Sequence, residues 1–235
     1  PDLQDEDIVG SCFAICDYTV HGELGGDAAL VRLRQRMGQH GLRLMLDFVP
    51  NHTALDHPWA FFQPEYYIQG ELDDLKSEPE NYVQVESVRG PRVLARGRDP
   101  YFPGWLDTLQ LNYGNPRLQD AMLTVLMRIA GICDGVRCDM AMLMLPDVFQ
   151  RTWGILPPPF WPRAISAVKQ KYADFVFMAE VYWDLEGTLQ QQGFDFTYDK
   201  RLYDRLREQK PEILRQHLRA ELGIQKKMVR FLEHH

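Results

Sequence analysis

Three short apolar runs, each carrying an acidic residue at or near its end, limit what this chain can fold into more than any other feature. Residues 42–49 are almost continuously apolar around Asp47. Residues 131–139 alternate Val136 and Cys138 with Arg137 and Asp139, and residues 175–181 are apolar apart from Glu180. Runs of this length and content suit strands buried on both faces. Helix-type segments lie between them. Asp27 opens one over about 27–40, with Leu30, Leu33 and Met37 on one face and Gly41 to end it. Asn115-Pro116 opens a second, an N-cap followed by proline in the first turn, and Leu118, Met122, Val125, Leu126 and Ile129 recur at helical spacing. Further helices are expected at about 162–172, 199–209 and 211–222, and further strands at about 193–198 and 228–232. Alternation of this kind builds βαβ units.

No G-x-G-x-x-G or Walker loop follows an early strand, which argues against a doubly wound nucleotide-binding sheet. Instead Asp47, Asp139 and Glu180 stand toward the carboxyl ends of successive strands. In a (β/α)8 barrel those ends share one face, and that face carries the chemistry. The expected fold class is therefore α/β, of the TIM-barrel type. Five strands fall short of a closed eight-stranded barrel, so the barrel is incomplete and its open edges favour self-association. Residues 1–50 and 116–235 form the partial barrel on this reading. Residues 51–115 are rich in aromatics, Pro, Gly and charge, with weak periodicity. A structureless loop of that length is improbable, so they are expected to form an inserted subdomain.

Composition narrows the partners. With 33 acidic against 26 basic residues the formal charge is −7, which argues against nucleic acid or an anionic membrane as partner. No apolar run approaches the ~18 residues of a membrane span. Cys133 and Cys138 lie in an apolar run and read as buried thiols, while Cys12 and Cys16 lack the spacing of a zinc knuckle. The simplest compartment is the cytoplasm. The chain starts at Pro1 without an initiator Met, and residues 232–235 read as including part of a vector-derived Leu-Glu-polyhistidine tag.

Carboxylates converging on one barrel mouth beside an aromatic-rich insertion suggest glycoside chemistry. A retaining glycosidase needs one ionised carboxylate as nucleophile and one carboxylic acid to protonate the leaving oxygen, about 5–5.5 Å apart. Arg137, two residues before Asp139 on the same strand face, would keep Asp139 ionised. Apolar and aromatic neighbours of Glu180, from Met178 to Trp183, would raise its pKa by desolvation. Aromatic side chains supply sugar-binding faces, with Trp59, Phe102 and Trp105 the candidates in the insertion.

At these residues the chain resembles the α-amylase family, glycoside hydrolase family 13. Asp47-Phe48-Val49-Pro50-Asn51-His52 resembles its D-x-V-x-N-H signature. Asp134-Gly135-Val136-Arg137-Cys138-Asp139 resembles D-G-x-R-x-D, and Phe177 to Val181 the strand that ends in the acid Glu. Asp17-Tyr18 through Gly26 resembles the loop after barrel strand 2, and Thr108 to Asn112 the Q-P-D-L-N signature near the end of domain B. The resemblance implies that about barrel strands 3–7 are present, with residues 51–115 as domain B. It implies that Asp139 is the nucleophile and Glu180 the general acid/base. Arg137, His52, Asp47, Tyr18 and Phe13 would bind the substrate or hold the site, Phe13 in place of the usual stacking Tyr. No cofactor is required; in several relatives the residue matching Asn51 binds a structural Ca²⁺, so Asn51 is the candidate metal ligand. The implied partner is an oligosaccharide or α-glucan, cleaved at α-glucosidic bonds by double displacement. Transglycosylation or sugar isomerisation, and a non-catalytic binding or assembly barrel, are the alternatives.

Four departures accompany the resemblance. Gln110 occupies the position of an Asp, and Met142 and Leu143 stand where α-amylases carry Lys-His. Cys12-Phe13 replaces the stacking Tyr. No Asn-His-Asp signature, source of the third catalytic carboxylate, follows residues 228–232. The 235 residues alone are therefore expected to be inactive.

Overall fold

Parallel pairing of short strands organises the chain; in the main sheet only the strand Gly135–Cys138 is buried on both faces, where the sequence suggests this for three. The computed structural model describes residues 10–219 and 221–233; His234 and His235, assigned to a tag from the sequence, lie outside them. Ten strands occur among the described residues: β1 (Met45–Phe48), β2 (His52–Ala54), β3 (Gln69–Gly70), β4 (Tyr82–Val85), β5 (Arg92–Ala95), β6 (Thr108–Gln110), β7 (Gly135–Cys138), β8 (Val176–Ala179), β9 (Phe196–Tyr198) and β10 (Met228–Val229). β1, β7, β8, β9 and β10 form one parallel sheet in that order. Helices join them, and the result is an incomplete (β/α)8 barrel.

Register decides which side chains share a face. Asp47 pairs with Arg137, Arg137 with Met178, and Met178 with Phe196. The next row, Phe48, Cys138, Ala179 and Thr197, points the other way and is fully buried. One step further the Asp139 N–H donates to the Phe48 carbonyl (2.9 Å) and the Glu180 N–H to the Cys138 carbonyl (3.0 Å). The ladder thus carries both acids just past the strand ends, on the face of Arg137, because side chains alternate with period two.

On the outer side the helix Pro116–Ile132 starts where expected: Asn115 Oδ1 accepts from the Arg117 N–H (3.0 Å) with Pro116 in the first turn. It buries Leu118, Met122, Leu126 and Ile129. The helix Trp161–Lys171 packs beside it. Trp161 is fully buried; its ring lies 4.8 Å from Phe194 and 5.2 Å from Phe160, and its indole N–H donates to the Ala141 carbonyl (2.9 Å). That bond satisfies the one polar atom of the largest core side chain.

Between β1 and β7 the chain builds two small antiparallel sheets, β2–β6 and β3–β5–β4. Leu94 and Leu109 from these sheets, with Tyr67 and Leu111 bridged to each other beside them, belong to the same apolar cluster as Met122 and Phe149. Cys133 and Cys138 are buried free thiols, as the sequence indicates, and Cys12 and Cys16 are exposed.

The helix expected over 211–222 is two, Pro211–Leu218 and Leu222–Gln225, and Pro146–Trp153 forms a helix not expected from the sequence. Gly26–Gln39 forms where the sequence places it, yet buries no residue, and Leu33 is 48% exposed. It sits beyond β1, the last strand on that side of the sheet among the described residues, and so lacks a second neighbour to bury its stripe. Arg34 anchors it instead, through an ion pair with Asp134 (2.7 Å). The inner face of the sheet is likewise open: Met45 and Phe196 are each 38% exposed.

Trp161→Ala should lower unfolding free energy by about 3–5 kcal/mol, read from urea denaturation, whereas Trp161→Phe should lose much less.

Candidate active site

Arg137 gathers the site. Its side chain is nearly buried, and its Nη1 lies 3.0 Å from both Asp47 Oδ1 and Asp139 Oδ1. Nη2 lies 2.8 Å from Glu180 Oε2, and Nε–H donates to Tyr198 Oη (3.1 Å). The Phe13 ring covers the guanidinium at 4.9 Å and the Tyr198 ring at 5.7 Å, both within cation–π range. Burial works against the Arg137 charge, but Glu180 and Asp139 outweigh it and hold its pKa above the usual value.

The two acids are dressed differently. Glu180 Oε2 accepts from the Met140 N–H (2.8 Å), and Oε1 accepts from Tyr182 Oη–H (2.5 Å). Met140 donates from a left-handed backbone conformation (φ 43°), a strained choice for a long side chain. Asp139 Oδ1 has Arg137; its Oδ2 is buried and accepts no hydrogen bond from the described residues. Burial first, and then the charge of Glu180, push the Asp139 carboxyl up to about 7, against the pull of Arg137. From the sequence, Arg137 is expected to keep Asp139 ionised; in the fold, burial and the neighbouring Glu180 charge outweigh the arginine.

A cavity of about 360 Å³ opens on this pair, lined by Phe13, His52, Trp105, Asp139, Glu180 and Tyr182 among others. His52, on β2, is buried against the edge of Trp105 (5.1 Å), and burial lowers its pKa to about 4. It is neutral at pH 7, able to share hydrogen bonds with a sugar hydroxyl without adding charge. Asp107 also lines the cavity, held by the Ser11 N–H at Oδ2 (2.8 Å).

Of the residues singled out in the sequence, Asp139, Glu180, Arg137, His52 and Phe13 therefore meet at one place. Asp47 touches it only through Arg137 and is otherwise exposed on the open inner face. Tyr18 does not join the pocket. Its Oη–H donates to the Val49 carbonyl (2.9 Å), and its ring packs with Phe48, His57 and Trp59. A phenol that finds its acceptor in the core has no reason to face solvent. Trp59 is used in the same aromatic cluster and Phe102 is exposed away from the cavity, leaving Trp105 as the insertion's aromatic at the site. Tyr182, Tyr198 and Asp107 were not singled out. Parity along the strands could have found two of them: Tyr182 stands two residues past Glu180, and Tyr198 continues the row of Asp139 and Glu180.

Asn51 does not fit a calcium ligand. Its Oδ1 accepts from Gln110 Nε2 (3.0 Å), and its Nδ2 donates to Gln110 Oε1 (3.2 Å) and lies 3.3 Å from His52 Nδ1. No carboxylate joins them among the described residues, and a hard divalent cation needs several free oxygens, usually with charge. No group of three or more His, Cys, Asp or Glu side chains suited to a metal occurs among the described residues. Nor is any described helix long and apolar enough to cross a membrane.

A partial parallel barrel with paired acids past adjacent strand ends defines the class. Residues 7–202 match the family model for the alpha-amylase catalytic domain, and the chain belongs to that family. It is 27% identical over 152 residues to a trehalose synthase of Pimelobacter sp. (strain R48), covering 59% of this chain and 26% of that one. An α-amylase structure from Lactobacillus plantarum superposes with a TM-score of 0.63 at 24% identity, over 94% of this chain and 48% of that one. Cyclic α-maltosyl-(1→6)-maltose hydrolase from Arthrobacter globiformis gives 0.64 at 21% identity, over 94% and 49%. The chain thus spans about a quarter of that curated relative and about half of the two solved ones. The structural likeness, at these identities, speaks for the fold.

A raised Asp139 pKa has a sign. The folded state holds the proton to higher pH than the unfolded chain, so this stability is present below about pH 4 and lost as pH rises toward 7. Asp139→Asn should therefore be more stable than wild type at pH 8 by about 2–4 kcal/mol, the gap closing by pH 4, in urea titrations at each pH.

Proposed function

We propose that this chain is part of a retaining glycosidase acting on α-glucosidic bonds by double displacement. The observation that carries the reading is one guanidinium bridging both acids. Arg137 keeps Asp139 and Glu180 side by side, which suits direct attack by a carboxylate better than the wider gap an inverting enzyme needs for a water. In the first step Glu180 gives its proton to the glycosidic oxygen while an Asp139 oxygen bonds to the anomeric carbon and the leaving sugar departs. In the second, Glu180 takes a proton from water, whose oxygen displaces Asp139 and restores the original configuration. Attack requires an ionised Asp139. The pair's proton must then stand on Glu180 in the sugar complex, with Tyr182 and Met140 yielding some of their hold on it. Neutral His52 would steady a sugar hydroxyl, and Phe13 and Trp105 would offer apolar faces.

The trehalose synthase similarity favours a second reading: the glycosyl intermediate passes to a sugar hydroxyl instead of water, giving transfer or isomerisation. Both readings share the first step. In the whole protein, a mechanism-based fluoroglucosyl inhibitor should label Asp139, located by peptide mass spectrometry; a label elsewhere would refute the assignment. Products from maltose separate the two readings, glucose for hydrolysis and a rearranged disaccharide for transfer. The 235-residue chain alone should show no turnover of maltooligosaccharides. Its barrel is open, and no Asn-His-Asp segment supplies a third carboxylate within it.

A further inference from the structure

We propose that the Gln110 carboxamide takes the place of a structural cation behind the pocket, so that this wall is cross-linked without metal. Gln110 is fully buried on β6, opposite His52 on β2. Its Nε2 sits among three oxygens: the Asn51 carbonyl (3.0 Å), Asn51 Oδ1 (3.0 Å) and the Leu111 carbonyl (3.1 Å). Oxygens converging from two chain segments on one electropositive centre are what a bound cation demands. Here the two N–H groups of an amide supply the positive end.

The arrangement does more than fill the space. The Asn51 carbonyl also accepts from the Leu111 N–H (3.1 Å), which leaves little of its acceptor capacity for a metal. Asn51 returns a bond to Gln110 Oε1 and points its remaining N–H toward His52 Nδ1. That fixes the His52 tautomer, with the proton on the other ring nitrogen. A cation could hold Asn51 Oδ1 but could not also present the acceptor, Oε1, that orients the amide. The reciprocal pair therefore carries the order of the wall to the residue at the cavity.

Thermal denaturation of the chain with excess calcium and with EDTA tests this without any turnover. The wild-type Tm should differ between the two by less than about 1 °C. Gln110→Glu removes the donor and leaves a carboxylate facing three oxygens; in EDTA it should melt about 5–10 °C lower, and calcium should recover much of the loss. Gln110→Ala should also melt lower, with no recovery. Should the Glu variant not fold in EDTA, its refolding yield with and without calcium reads the same quantity. A wild-type Tm that falls by several degrees on chelation overturns the proposal. So does a Glu variant as stable as wild type in EDTA, or one that calcium does not help.

Discussion

The site depends on one buried guanidinium. Among the described residues Arg137 is the single positive group that bridges Asp47, Asp139 and Glu180, and its position follows from the register of β7 between β1 and β8. Burying a charge costs several kcal/mol unless partners repay it. Here repayment comes from two acids whose own burial would be unfavourable without it. Neither side of this arrangement is stable alone, which makes sheet register and site electrostatics one problem. A slip of one residue in β7 would send Arg137 into the helix layer and Cys138 into the mouth.

The same arrangement leaves an imbalance. Two carboxylates face one arginine in the pocket; backbone and phenol donors converge on Glu180, and the guanidinium is ion-paired with it. The deficit falls on Asp139, whose second oxygen accepts nothing from the described residues. Functional sites commonly hold such unbalanced groups, because a perfectly satisfied carboxylate has no reason to react.

Much of this was legible in the sequence, for definable reasons. Parallel strands with an apolar face on the core leave apolar runs, so β1, β7 and β8 stood out, and acids at the ends of such runs are too costly to bury without a purpose. Asn115-Pro116 marked a helix start because capping is local. Other features depended on distant residues. The stripe on Gly26–Gln39 is amphipathic, but burial needs a neighbour, and sequence periodicity does not say whether one is there. Tyr18 carries the polar tip that suits a binding face, yet the Val49 carbonyl lay within its reach. The apolar flanks of Glu180 suggested an apolar setting, while its carboxylate in fact accepts from Met140 and Tyr182 and is ion-paired with Arg137. Gln110 looked like a simple departure from a pattern; its role emerged only with the carbonyls around it.

The turn after β7 has a mechanical consequence. Met140 follows Asp139 directly and gives its N–H to the Glu180 side chain, and the next residue, Ala141, gives its N–H to the Glu180 carbonyl (3.0 Å). Two successive peptide units beyond one acid thus grip the other at both its side chain and its main chain. Any tilt of this segment carries both acids together, so their separation is stiffened by covalent geometry as well as by rotamer choice. Thermal motion in the loops above should then widen or narrow the entrance without spreading the reacting atoms.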